Sequence, residues 1–148
     1  MAIFVYAENI NGVYKKAAFE SVSYAKAIAD QAGETVTAIT INPTDSSDLL
    51  YKYGASQVII IKDEGLKNFS AKAYAQAVNE VSTGNIIVFP HTTDASSIAP
   101  MLAIMNGFSL ITNVFIAAKS KIFSETLVAI EAVPAFPGAT KSFEVFED

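Results

Sequence analysis

Apolar and polar positions along the chain switch repeatedly between a strand-like and a helix-like period. Residues 2–6 form a first apolar run, and residues 7–13, AENINGV, read as a polar loop leading to Lys15 and Lys16. Ala18, Val22, Ala25 and Ala29 then recur at helical spacing, with side chains small enough to let the helix lie close on a sheet. Gly33 follows as a left-handed helix end. Residues 35–41 read as a second strand, and Asn42, Pro43, Thr44, Asp45, Ser46 and Ser47 as a turn and helix start. A short helix carries Leu49, Leu50 and Tyr53 and stops at Gly54; residues 58–61 are a third strand. Residues 63–70 are a loop, and Ala71, Tyr74, Ala75 and Val78 mark a helix that runs out before Gly84.

Residues 86–89 are apolar at every position, which predicts a central strand covered on both faces. Pro90 lacks an N–H and ends it, and His91, Thr92, Thr93 and Asp94 make a polar elbow. Asp94, Ser96 and Ser97 offer side-chain oxygens to a helix start, which places Pro100 in the first turn, where proline is tolerated. Ile98, Met101, Leu102 and Met105 predict one apolar stripe, Gly107 ends the helix, and residues 108–117 return as a strand.

Each helix is thus followed by a glycine (Gly33, Gly54, Gly84, Gly107) and then by an apolar strand, the rhythm of a parallel α/β sheet. Right-handed crossovers turn it into a three-layer, doubly wound, mainly parallel sheet of order 3-2-1-4-5 with helices on both faces. After residue 118 the rhythm changes. Residues 126–133 are a strand reached without a helix and therefore an added antiparallel one, Pro134, Phe136, Pro137 and Gly138 form a stiff turn, and residues 143–146 are a last segment. The elbow at His91 lies at the carboxyl end of its strand, where open α/β sheets bind ligands.

Composition narrows the chemistry. The chain has 148 residues, one domain of ordinary size, with a net charge of -5 and all ten cations lysine. The acidic balance argues against nucleic acid and anionic membrane, and the lack of arginine removes the planar fork that clamps phosphates. Without cysteine there is no disulfide framework, thiolate nucleophile or cysteine-ligated metal, and the chain fits a reducing, cytoplasmic setting. A secretory leader is not expected, because Met1 is followed directly by a strand. Residues 95–118 carry no charge and are long enough to span a bilayer, but Pro100, Asn106, Gly107, Ser109, Thr112 and Asn113 divide them into helix and strand.

No catalytic pattern is present. The strand-to-helix loops contain one glycine, Gly12, and neither G-x-G-x-x-G nor a P-loop. The single histidine, His91, matches no nucleophile. It either titrates against a bound group, or caps the elbow, or contacts another subunit. Asp63 with Glu64, and Asp45 with Asp48, read as solvated loop and helix-start charges rather than acid and base. His91, Thr92, Thr93 and, in the first loop, Asn9 are the binding candidates; no metal site is expected.

VYAEN near the start, YGASQVIIIKDE, VFPHTTDASSIAPMLA and LITNV, in that order, closely resemble the amino-terminal domain of the electron-transfer flavoprotein alpha subunit, and VPAFPG resembles its closing strand and turn. The resemblance implies a Rossmann-like fold of adenine-nucleotide-hydrolase type spanning residues 1–148. It implies a beta-subunit partner and a heterodimer that carries FAD between flavin dehydrogenases, such as acyl-CoA dehydrogenases, and an acceptor. FAD is held chiefly by a carboxyl-terminal alpha domain that this chain does not include. The implied role is therefore a scaffold and partner-binding domain that binds no FAD alone and has no catalytic residues; Phe136, Phe143, Val145 and Phe146, apolar on an expected periphery, predict self-association in isolation. Between Val114 and Leu127 only FIAAKSKIFSET stands where the resemblance implies a longer basic hairpin. A stand-alone nucleotide-binding or sensor domain of the same fold is the alternative. A small hydrolase-like enzyme competes too, but lacks a nucleophile and base.

Overall fold

The structure, a computed structural model, describes residues 2–83, 86–107, 109–114 and 127–131. Its elements are β1 (Ala2–Tyr6), β2 (Asn9–Ile10), β3 (Val13–Tyr14), α1 (Lys16–Ala32), β4 (Thr35–Ile41), α2 (Asp48–Lys52), β5 (Gln57–Ile61), a 3-10 turn (Glu64–Leu66), α3 (Ala71–Val81), β6 (Ile86–Phe89), α4 (Thr93–Asn106), β7 (Ser109–Val114) and β8 (Leu127–Glu131).

Six strands form one sheet in the order β5-β4-β1-β6-β8-β7. The first four are parallel, with Phe4 beside both Thr37 and Ile87, so β1 and β6 lie at the centre as the unbroken apolar run predicts. β8 is antiparallel to β6 and to β7, which leaves β7 running in the direction of β6. The expected strand order is kept, with the added antiparallel strand entering between the fourth and fifth strands. β8 therefore pairs on both sides, and β7 takes the outer edge of the sheet.

Alternate residues of each central strand feed separate cores, because side chains in a strand point to opposite faces. Ile3, Val5, Val36, Ala38 and Val88 pack under α1 with Ala18, Val22, Ala25 and Ala29, together with Leu50 of α2. Phe4, Tyr6, Ile39, Ile41, Ile87 and Phe89 pack on the other face with α3 and α4. Glycine caps two of the helices as expected, whereas α2 is capped by Tyr53, one residue before Gly54, and α3 by Ser82. Gly33 and Gly107 are left-handed, with φ of 69° and 66°, and cap α1 and α4 through their N–H groups. Gly84 lies outside the described residues, as do the 115–126 segment, the turn at Pro134 and the 143–146 segment.

Helix α4 differs from its expected outline. It begins at Thr93, with Thr92 as cap, so Pro100 sits inside the helix and leaves the Ser96 carbonyl without its usual donor. The buried positions are Ala95, Ile98, Ala99, Leu102 and Ala103, while Met101 and Met105 face outward. A stripe drawn through the larger apolar residues runs across the true one, because close approach to the sheet selects alanines.

Candidate binding cleft

The cleft is assembled by loops at the carboxyl ends of β1, β4 and β5. The segment 7–13 is a β-hairpin rather than an open loop: Ile10 pairs with Val13 and Asn9 with Tyr14. Asn11 and Gly12 at its tip have φ of 51° and 86°, the positive pair that a two-residue hairpin turn demands and that Asn-Gly favours. Gly12 is also a point of close approach. Its carbonyl accepts the Thr44 and Asp45 N–H groups at 2.9 and 3.0 Å, and an added Cβ would stand 2.8 Å from the Thr44 backbone nitrogen. The glycine therefore serves contact between two loops, not approach to a phosphate.

Further side chains bind these loops together. The Asp45 carboxylate accepts the Tyr14 N–H at 3.0 Å. Asn42 (φ 48°) exchanges a pair of 2.9 Å hydrogen bonds with Asp63, donating to its carbonyl and accepting from its N–H. Asn9 donates to Thr40 Oγ1 at 3.2 Å and the Ile41 carbonyl at 2.7 Å, and its oxygen accepts the Gly12 N–H at 3.0 Å. Between the loops lies a cleft of about 870 Å³ whose walls include Tyr6, Glu8, Asn9, Lys62, Phe69 and Asp94. This is within the size range of small-molecule sites.

The point where strand order reverses, between β1 and β6, is closed by the protein itself. Thr92 Oγ1 donates to Glu8 Oε1 at 2.8 Å and accepts the Ala95 N–H at 3.2 Å as cap of α4. Glu8 thus places a carboxylate at the amino terminus of α4, where such folds commonly seat an anion. Burial pushes the Glu8 carboxyl above its ordinary range and the Asp94 charge adds to this, while the Thr92 hydroxyl and the Ala95 N–H oppose it. Tyr6 is pushed well above the usual phenol range, first by burial and then by Glu8, Tyr74 and Asp94.

The candidate residues are divided by the structure. Asn9 lies in the cleft wall, held by its own loop. Thr92 faces Glu8, and Thr93 opens α4 with an exposed side chain. His91 is exposed and lies outside the residues lining the cleft. Tyr6, Glu8 and Asp94, which also line the cleft, were not among the candidates. Glu8 and Thr92 are 84 positions apart, so no local spacing signals their meeting, whereas Asn11-Gly12 does signal the hairpin. Among the described residues there is no cluster of three or more potential metal ligands, and no helix long and apolar enough to cross a membrane.

Sheet order, helices on both faces and a self-closed switch point define a Rossmann-like α/β domain that lacks a glycine-rich phosphate loop. The family described as electron transfer flavoprotein domain matches residues 3–133, and the chain belongs to it. It is 27% identical over 141 residues to an electron transfer flavoprotein subunit alpha of Thermoanaerobacterium thermosaccharolyticum, covering 92% of this chain and 42% of that protein. A subunit alpha of Syntrophomonas wolfei is 26% identical over 136 residues, covering 88% of this chain and 42% of that protein. The lactate dehydrogenase (NAD(+),ferredoxin) subunit LctC of Acetobacterium woodii is 31% identical over 107 residues, 68% of this chain and 25% of that protein. The alpha-subunit resemblance therefore holds, and the chain spans less than half the length of these curated relatives.

Proposed function

We propose that the chain is the amino-terminal scaffold and partner-binding domain of an electron transfer flavoprotein alpha subunit. In this reading it supports FAD-dependent electron transfer from flavin dehydrogenases, such as acyl-CoA dehydrogenases, to an acceptor in the cytoplasm. Its partners are the beta subunit and the carboxyl-terminal alpha domain, which holds the FAD; the chain itself contributes no catalytic residue. The observation that carries the reading is that α4 is apolar on both sides. Its inner face is buried, yet Met101, Ile104 and Met105 remain outside, with Ile104 82% exposed. The carboxyl-terminal half of α4 is thus apolar outside as well as inside, and an exposed apolar patch of this kind expects cover. Phe136, Phe143, Val145 and Phe146 of the closing segment add sequence support and lie outside the described residues.

The test is association with a purified beta subunit and carboxyl-terminal alpha domain. Ile104→Asp should weaken complex formation by about 30-fold or more, the effect of losing an interface hot spot, while leaving the melting temperature of the isolated chain unchanged. Equal affinity for wild type and variant would remove α4 from the interface. The cleft favours the alternative, a stand-alone nucleotide-binding or sensor domain, whereas Glu8 at the α4 terminus weighs against it. Calorimetric titration with FAD, AMP and ATP separates the two. The scaffold reading expects no heat of binding, a colourless protein and no thermal shift, although ligand at a hundred times its dissociation constant would add about 2.7 kcal/mol.

A further inference from the structure

We propose that the cleft binds a protonated amine or guanidine group of a small molecule, held between the carboxylates of Glu8 and Asp94 and the hydroxyl of Tyr6. This goes beyond the partner-binding reading and does not depend on it. Tyr6 is only 3% exposed, its ring packs against Phe89 at 5.8 Å, and it lines the cleft. Among the described residues its hydroxyl has no hydrogen-bond partner, so at the cleft wall it is open to water or to a ligand. Glu8, Asp94 and Tyr74 line the same cleft as Tyr6, and after burial all three raise its phenol. The hydroxyl stays protonated there, with its oxygen free to accept from a cationic N–H.

The surrounding groups select a cation. Thr92 donates to Glu8 Oε1 and the Ala95 N–H also acts on that carboxylate, while Asp94 is exposed with no hydrogen bond or ion pair to a described residue. Neither Lys62 nor Lys67, from the loop after β5, is ion-paired with Glu8 or Asp94 among the described residues. Tyr74, with its hydroxyl donated to the Leu66 carbonyl at 2.6 Å, and Phe69, 5.0 Å away ring to ring, add an aromatic wall of the kind that attracts cations. An anion is disfavoured, because Glu8 already faces the α4 terminus and the sequence contains no arginine. A hard metal ion would call for more oxygen ligands than these two carboxylates supply. Asn9 and Asn42 are held by their own loops and shape the wall rather than reading the ligand.

The experiment is an NMR titration of the whole isotope-labelled chain with tyramine and agmatine, with 4-ethylphenol as the uncharged counterpart and inorganic phosphate and AMP as anions. Tyramine or agmatine should saturate with a dissociation constant of about 1 mM or tighter, moving the resonances of Tyr6, Glu8 and Asp94, while the uncharged and anionic probes should not saturate. Asp94→Asn should weaken amine binding at least about tenfold with an unchanged melting temperature, since its side chain holds no other described residue. Tyr6→Phe, which removes only the hydroxyl, should weaken it about threefold. Absence of saturation by both amines at about 10 mM, binding by 4-ethylphenol equal to tyramine, or undiminished binding to Asp94→Asn would each overturn the assignment. A blocked lysine amide that saturates where tyramine and agmatine do not would reassign the cation to a peptide side chain and overturn the small-molecule source.

Discussion

Helices α1 and α4 cover opposite faces of one sheet, and they differ on their outer sides. Inward, both are lined with alanines and a few larger residues: Ala18, Val22, Ala25 and Ala29 on α1, Ala95, Ile98, Ala99 and Leu102 on α4. Outward, α1 carries Lys26 paired with Asp30 at i,i+4, both about half exposed as suits water, and an exposed Lys16 whose partner, Glu20, is buried. Past Asp94, α4 has no charge at all and presents Met101, Ile104 and Met105. Their entrances differ as well. Lys15 caps α1 without a side-chain bond, behind a hairpin held to the next loop, whereas α4 begins on Thr92 and the Glu8 carboxylate. Burial of one apolar face is enough to fold a helix onto a sheet; a second apolar face contributes nothing to that fold and so points outside it.

Substitutions can break or sharpen this contrast. The largest effect belongs to Leu102→Ala, which empties a fully buried position on the inner face of α4 and should cost about 2–5 kcal/mol in chemical denaturation. A loss under about 0.5 kcal/mol would mean that the helix does not bury this face. Gly12→Ala comes next, because alanine would be strained at φ 86° and its Cβ would crowd the Thr44 backbone. It should cost about 1–3 kcal/mol and loosen the approach to α1, visible as lost amide protection at Thr44 and Asp45.

Smaller effects lie at the helix entrance and the water-facing side. Glu8 has its carboxyl raised in the fold, so its contribution to stability is fully present below its unfolded pKa of about 4.3 and is lost as pH rises through the folded value. Glu8→Gln does not titrate and keeps an oxygen for Thr92. Its stability relative to wild type should therefore increase from about pH 4 to pH 7, as measured by urea midpoints, and a flat difference would refute the desolvated carboxylate. Lys26→Ala on α1 should change stability by less than about 0.5 kcal/mol, because its pair with Asp30 is half exposed. A larger loss would show that the outer face of α1 matters beyond solvation.

Much of the architecture was legible in the residues one segment at a time. The unbroken run at Ile86–Phe89, the spacing of Ala18, Val22, Ala25 and Ala29, and the left-handed Gly33 and Gly107 at the ends of α1 and α4 are local consequences of side-chain period and backbone freedom, and the structure has them where they were expected. Local reading failed where two meanings shared one pattern. Met101 and Met105 are as apolar as Leu102, so hydropathy could not tell the face that meets the sheet from the face left outside. Asn11-Gly12 carried a hairpin signal inside what read as a polar loop.

By itself the sequence determined the class of fold, the parallel centre of the sheet and the absence of a glycine-rich phosphate loop, because these depend on neighbours a few positions apart. Only the tertiary structure decided that β8 slots between β6 and β7, that Gly12 meets Thr44, and that Glu8 meets Thr92 across 84 positions. Each of those contacts joins segments whose separate patterns carry no record of one another. Their energies arise only when the packed sheet brings two loop ends within hydrogen-bonding distance.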